Sequence, residues 1–194
     1  SRGSGRGVAA QGAGAGGVGA RAGQGAKAMG AKLVGAVGSA EKAERARALG
    51  AGATIDYSHE DVARRVLELT GGHKCPVVYD GVGADTWLTS LDCLRPRGLM
   101  VSFGNASGAV TGVNLGILSQ KGSLYVTRPT LATYANTAEN TQAMAADLFA
   151  MIASGQLVVD IPQRYPLSEA AQAQAALAAR GRRGQGGPRG RREV

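Results

Sequence analysis

The chain has 194 residues, enough for one sizeable core, with a formal net charge of +8, 31 glycines, two cysteines and two histidines. The charge does not point to nucleic acid: residues 31–180 hold 13 Lys/Arg against 13 Asp/Glu, and the surplus lies in residues 1–30 and 181–194. Cys75 and Cys93 lack CxxC spacing and a histidine cluster, which argues against a metal site, and no apolar run approaches the roughly 18 residues of a membrane span. The composition reads as a soluble, cytoplasmic protein with no specific nucleic-acid partner and no membrane contact.

Residues 1–7 read as a disordered or non-native leader. A first strand is expected over 8–11, although VAAQ lacks the bulky β-branched residues of a central parallel strand. The glycine-rich turn GAGAGGVG spans 12–19. It leads into a helix to Met29 with the stripe Val18, Ala22, Ala26 and Met29, in which Gly23 and Gly25 each cost about 1 kcal/mol relative to alanine. Lys32–Val37 predicts a second strand, and Ser39 is a fair N-cap for a helix ending before Gly50 and Gly52. A third strand is short, over 54–57. Ser58, with Asp61 three residues on, makes a capping-box-like start for the helix DVARRVLELT, stopped by Gly71 and Gly72.

The apolar runs at 77–79 and 99–103 are each followed by a polar, glycine-bearing loop, as expected of parallel strands buried on both faces. A helix over 112–120 and a strand from Ser123 to Thr127 follow. After Pro129 a long helix, capped by Thr137 and ended by Gly155, runs from about Ala138 to Ser154 and buries Ala143, Met144, Leu148, Met151 and Ile152 at helical spacing. Short extended pieces at 158–160 and 165–167 lead to an Ala-rich helix opened by Ser168 and reaching Arg180. The tail 181–194, rich in Gly and Arg, cannot bury enough apolar surface to offset chain entropy and reads as disordered.

The alternation predicts an α/β fold: a Rossmann-like doubly wound parallel sheet of about six strands over 8–128, with a C-terminal helical segment over 129–180. Ligands of such sheets bind at the carboxyl ends of the strands, where residues 80–83 and 104–108 fall. The turn holds GxGxxG in two registers, Gly12/Gly14/Gly17 and Gly14/Gly16/Gly19. In so glycine-rich a stretch either match is equally readable as a flexible linker. At the end of the second strand Gly38 and Ser39 stand where an NAD-specific site carries an acid, with Lys42 one turn on; spacing alone favours an N-cap and a solvated lysine. Asp80 reads as an acid bonding loop amides or capping the next helix rather than as a catalytic acid. Phe103 is open between core and ligand contact, and Arg128 and Pro129 read as structural, ending the sixth strand. No Ser/His/Asp set, nucleophilic cysteine or paired carboxylates are visible, which suits a reaction whose chemistry a cofactor carries.

The segments YDGVG, GLMVSFGNASG and GSLYVTRP, together with AGGVG and the following QGAKAMGAKLVG, resemble the zinc-independent, zeta-crystallin-like quinone oxidoreductases of the medium-chain dehydrogenase/reductase superfamily. The match is dense from about Ala26 to Arg180. The resemblance implies NADPH as cofactor and hydride transfer, without zinc, to a quinone or similar small electrophilic acceptor. It implies that Gly16, Gly17, Val18 and Gly19 approach the diphosphate, that Gly38, Ser39, Lys42 and Tyr57 surround the 2′-phosphate, and that Arg180 reaches it from the chain end. Val82 and Gly83 fall on the adenosine side; Phe103, Gly104, Asn105 and Ser107 fall on the nicotinamide side. It further implies a homodimer through Ser123 to Thr127, and an N-terminal catalytic domain that this chain lacks and to which 129–180 would return. The family's candidate catalytic residues lie in that domain, so no catalytic or metal residue is assigned here, and the isolated chain is expected to be inactive or weakly active. Two other readings stay open: another zinc-free enone or enoyl reductase of the superfamily, and a non-catalytic dinucleotide-binding or structural protein.

Overall fold

The computed structural model describes residues 7–11, 17–159 and 164–183, with side chains from 21 to 159 and from 164 to 176. The chain divides into two compact units, Ser1–Val158 and Val159–Val194. The first unit alternates strand and helix: β1 (Gly7–Gln11), α1 (Gly17–Ala28), β2 (Lys32–Val37), α2 (Ala40–Ala48), β3 (Ala53–Asp56), α3 (Val62–Leu69), β4 (Cys75–Asp80), α4 (Trp87–Asp92), β5 (Leu94–Ser102), α5 (Gly116–Gln120) and β6 (Tyr125–Thr127). The strands form one six-stranded parallel sheet in the order β3-β2-β1-β4-β5-β6. This is the expected doubly wound arrangement. Strand order reverses between β1 and β4, so the crevice for a ligand opens at their carboxyl ends.

Helices α1 and α2 both pack on β2, which explains why it is buried at five successive positions, Leu33 to Val37. One core cluster gathers Ile55, Val66, Val78, Leu91, Leu94 and Met100 with Cys75 and Cys93. Both thiols lie fully within it. Burial pushes the Cys75 thiol up to about 11, and burial together with the neighbouring Cys75 pushes Cys93 up to about 12. Gly23 has a packing reason inside α1: a Cβ there would meet the Leu49 carbonyl oxygen at 2.9 Å and Leu33 Cδ2 at 3.4 Å. Gly25, by contrast, faces open space.

Several boundaries differ from expectation. The N-cap of α3 is Asp61, whose side chain accepts from Arg64 N at 3.0 Å, while Ser58 is bound back to Asp56 in the preceding turn. An acid beside the first helical residue outcompeted the longer box because its own oxygen already reaches the third amide. That turn holds the Asp56 carboxyl below its usual value, chiefly through the Ser58 hydroxyl and amide. β5 starts at Leu94, and its pairing with β4 jumps from Cys75–Leu94 to Val77–Leu99, so Arg95 to Gly98 loop out opposite Pro76. β6 is only three residues long because Ser123 takes a positive φ of 56° and cannot join the strand. Met29 is 80% exposed rather than part of the α1 stripe.

After β6 the first unit continues through α6 (Leu131–Tyr134) and α7 (Ala138–Ala153). Thr137 caps α7 as expected, accepting from Asn140 N at 3.1 Å. The expected burial of its apolar stripe does not occur: Met144 is 43%, Leu148 45% and Ile152 37% exposed, and Ala143 is exposed too. Helical spacing selects a face but cannot supply a neighbour to cover it. The second unit contains a 3-10 turn, Leu167–Glu169, and α8 (Ala170–Arg183), which passes through Arg180 without a break. Among the described residues no helix is long and apolar enough to cross a membrane.

Candidate functional site

Three groups of residues meet at the carboxyl ends of the strands. The first is the start of α1. Gly17 opens this helix, Val18 and Gly19 lie in its first turn, and Gly19 is buried. Its first turn holds no acid of its own to offset the first amides and the positive end of the helix dipole. That is a suitable environment for phosphate oxygens. Gly12, Gly14 and Gly16 lie outside the described residues.

The second group sits at the ends of β2 and β3. Ser39 is the N-cap of α2 and its hydroxyl accepts from Lys42 N at 3.3 Å. Tyr57 N donates to the Val37 carbonyl at 3.0 Å, which draws the chain after β3 alongside the end of β2. The Tyr57 hydroxyl then occupies the space into which a side chain at Gly38 would project. A side chain at position 38 would have to displace the half-exposed Tyr57 ring, and Ser39 and the exposed Lys42 follow at the same end of the strands. The N-cap reading of Ser39 is correct, and the tertiary structure adds Tyr57 beside it.

The third group joins the loops after β4 and β5. Asp80 is completely buried. One of its oxygens accepts from Val82 N at 2.7 Å and Gly83 N at 3.0 Å; the other accepts from the hydroxyls of Thr86 and Ser90, both at 2.7 Å. It is the loop-tying acid that its position suggested. The second loop is laced to the first: Phe103 N donates to Asp80 O at 2.8 Å, Ser107 N to Val82 O at 2.8 Å and Ala84 N to Gly108 O at 3.1 Å. The Ser107 hydroxyl donates to Val82 O at 2.9 Å and accepts from Asp85 N at 3.1 Å.

Glycines permit this closeness. A Cβ on Gly81 would meet Phe103 Cζ at 2.8 Å, and one on Gly104 would meet the Gly81 Cα and carbonyl carbon at 2.7 Å. Phe103 thus packs over Gly81 while remaining partly accessible. Val82, Gly83, Phe103, Gly104, Asn105 and Ser107 are brought into one structure by these contacts. Arg180 lies in α8 of the second unit, with its side chain outside the described residues.

Arg128, read from sequence as a strand terminator, has a further contact. Its Nη1 donates to the Gly104 carbonyl at 2.9 Å and to the Ser102 hydroxyl at 3.2 Å. No local spacing announces a contact between residues 24 apart in the chain; only the pairing of β5 with β6 makes it. Thr86 and Ser90 were missed as partners of Asp80 for a similar reason, since their hydroxyls also suit ordinary helix positions. Among the described residues no group of three or more His, Cys, Asp or Glu side chains could hold a metal ion.

Residues 17–150 match the family model described as zinc-binding dehydrogenase. The chain is 69% identical over 157 residues to a quinone oxidoreductase of Pseudomonas aeruginosa, covering 81% of this chain and 48% of that protein. It is 42% identical over 149 residues to a 2-haloacrylate reductase of Burkholderia, covering 76% and 45%. Among solved structures, an Escherichia coli quinone oxidoreductase complexed with NADPH superposes with a TM-score of 0.84 at 56% identity, covering 90% of this chain and 54% of that one. The chain spans about half the length of the curated relatives it matches.

Proposed function

Because this chain belongs to the zinc-binding dehydrogenase family of the medium-chain dehydrogenase/reductase superfamily, we propose that it is the NADPH-binding portion of a quinone oxidoreductase. The observation that carries the reading is the end of β2, where Gly38 and Ser39 stand in place of an acid, Tyr57 lies over Gly38 and Lys42 follows in the first turn of α2. A carboxylate there would repel a 2′-phosphate, whereas a hydroxyl and an ammonium attract it. The same description, an NADPH complex, applies to the E. coli structure.

In this proposal the amides of Gly16, Gly17, Val18 and Gly19 face the diphosphate. Gly38, Ser39, Lys42 and Tyr57 hold the 2′-phosphate, Val82 and Gly83 flank the adenosine side, and Phe103, Gly104, Asn105 and Ser107 flank the nicotinamide. The dinucleotide supplies the hydride, and the chain's own residues bind, orient and exclude water. The acceptor is a quinone or a similar electrophile, reduced without zinc. An NADPH-consuming reductase works where that cofactor is kept reduced, so the reading includes a cytoplasmic location. The edge strand β6, with Tyr125 61% and Val126 39% exposed, would pair with its counterpart in a second copy, giving a homodimer. A second reading, reduction of a conjugated acid or enone, is favoured by the likeness to the 2-haloacrylate reductase.

Calorimetric titration with NADPH and NADH tests the cofactor assignment. NADPH should bind about 10- to 100-fold more tightly, the range of one charge-assisted contact, and Lys42→Ala should narrow the gap. Equal affinity for the two cofactors would falsify it.

A further inference from the structure

The bulge at the start of β5 is held more firmly than a surface loop needs to be. Arg97 takes a positive φ of 58° and Ser123, just before β6, one of 56°. Neither is glycine, and such residues keep the left-handed conformation only where their surroundings impose it. Here Arg97 N donates to the Gly122 carbonyl at 2.8 Å. A Cβ on Gly122 would meet Pro96 Cα at 3.0 Å, and one on Gly98 would meet the Arg95 carbonyl oxygen at 2.8 Å. The two turns are locked together at the amino ends of β5 and β6, the opposite end of the sheet from the cofactor crevice. Beside them Arg95, Pro96, Arg97 and Tyr125 line a concavity of about 420 Å³. Both arginines are exposed, and among the described residues neither guanidinium has an ion pair or a side-chain hydrogen bond. The one acid in residues 92–97 and 121–128, Asp92, is already engaged by Lys121. An exposed arginine by itself is only solvated. Two presented from one rigid turn, beside a tyrosine that is 61% exposed and with no acid in the lining, have the composition of an anion site.

We propose that this concavity is a second ligand site, separate from the cofactor crevice, for a phosphate monoester that carries a flat ring, a mononucleotide in size. The Arg95 and Arg97 forks take the phosphate oxygens, and the Tyr125 ring stacks on the base. A monoester carries roughly −1.5 to −2 charges at pH 7, the match for two guanidiniums. The volume falls low in the range of small-molecule pockets, roughly 300–1,000 Å³, which suits a mononucleotide better than a dinucleotide. The inference goes beyond the NADPH reading and does not depend on it. Nor does it conflict with a dimer through β6, because edge pairing uses backbone groups in the plane of the sheet while the Tyr125 side chain stands out of that plane.

The test is a nitrogen–proton correlation spectrum of the full chain in about 0.15 M salt, which screens loose attraction, with excess NADPH present and adenosine 5′-monophosphate, inorganic phosphate or adenosine added in separate titrations. The monophosphate should move the Arg95, Arg97, Gly98 and Tyr125 amides and the two arginine side-chain N–H signals together, and should bind about tenfold more tightly than phosphate or adenosine alone. Its affinity should fall as pH drops below about 6, where the monoester takes up its second proton. Arg95→Gln and Arg97→Gln should each weaken it about tenfold or more, the range of one charge-assisted contact. Tyr125→Leu should reduce it to the level of inorganic phosphate and leave phosphate binding unchanged. The parent titrations need no variant and stand even if a substituted chain fails to fold. Shifts confined to the Gly17, Ser39 and Gly83 amides would put the nucleotide in the crevice and overturn the second site while leaving the NADPH reading intact, as would no shift at millimolar monophosphate. Equal affinity for phosphate and the monophosphate overturns the role of the ring. Binding by Val126→Pro but not by the parent chain would show that the dimer covers the concavity, and overturns it as a site of the assembled protein.

Discussion

Asp80 should be the most expensive single side chain of the site to remove. Its carboxylate is fully buried and ties four donors at 2.7 to 3.0 Å. Each charge-assisted bond is worth about 1.5–3 kcal/mol net, but the four share one group and do not add. Asp80→Ala leaves two loop amides and two hydroxyls facing a small polar void, and a loss of about 3–5 kcal/mol is expected, comparable with the whole stability of a marginal domain. Asp80→Asn is the informative variant. Its amide oxygen can keep Val82 N and Gly83 N, while its NH2 faces the Thr86 and Ser90 hydroxyls, which rotate to accept. About 1–3 kcal/mol should be lost. Urea unfolding measures the stability, and titration with NADPH measures whether the Gly81 to Gly83 backbone still presents itself. The NADPH affinity of Asp80→Asn should fall less than that of Asp80→Ala. A loss below about 0.5 kcal/mol in Asp80→Ala, the scale of an ordinary surface substitution, would refute the idea that this carboxylate organises the loop.

Within α1, Gly25→Ala should stabilise by up to about 1 kcal/mol, whereas Gly23→Ala should destabilise because its Cβ meets the Leu49 carbonyl oxygen at 2.9 Å; thermal melts that move both variants the same way would contradict the packing. Gly104→Ala should cost about 1–3 kcal/mol, since the added atom meets Gly81 backbone rather than a flexible side chain. The thiols of Cys75 and Cys93, raised to about 11 and about 12 from an ordinary value of 9.0, should resist alkylation at pH 8 in the native protein. Unfolded thiols lose their protons first as pH rises, so above about pH 9 the unfolded state binds fewer protons and stability should fall; denaturant midpoints that hold constant from pH 8 to 10.5 would contradict this. Val126→Pro removes a donor from the exposed edge strand and should abolish a homodimer built through β6, read by light scattering at micromolar concentration; a dimer indifferent to the change places the interface elsewhere.

The local sequence of the chain determined the order of strands and helices, because buried parallel strands must be short continuous apolar runs and the crossovers between them must be helices. It determined the caps at Ser39 and Thr137, where one hydroxyl reaches an amide three residues on, and it placed the glycines where backbones touch. The resemblance carried by YDGVG and GLMVSFGNASG added the cofactor class, which no periodicity contains. Tertiary structure decided the rest. Tyr57 lies over Gly38 only because β3 pairs with β2, and Arg128 reaches Gly104 only because β6 pairs with β5. The stripe of α7 was legible as apolar, but its exposure was not, because a helical period says which residues share a face and nothing about what stands opposite. The capping of α3 turned on the same distinction: two candidate acceptors stood three residues apart in the sequence, and the turn in which Asp56 captured Ser58 left Asp61 to begin the helix.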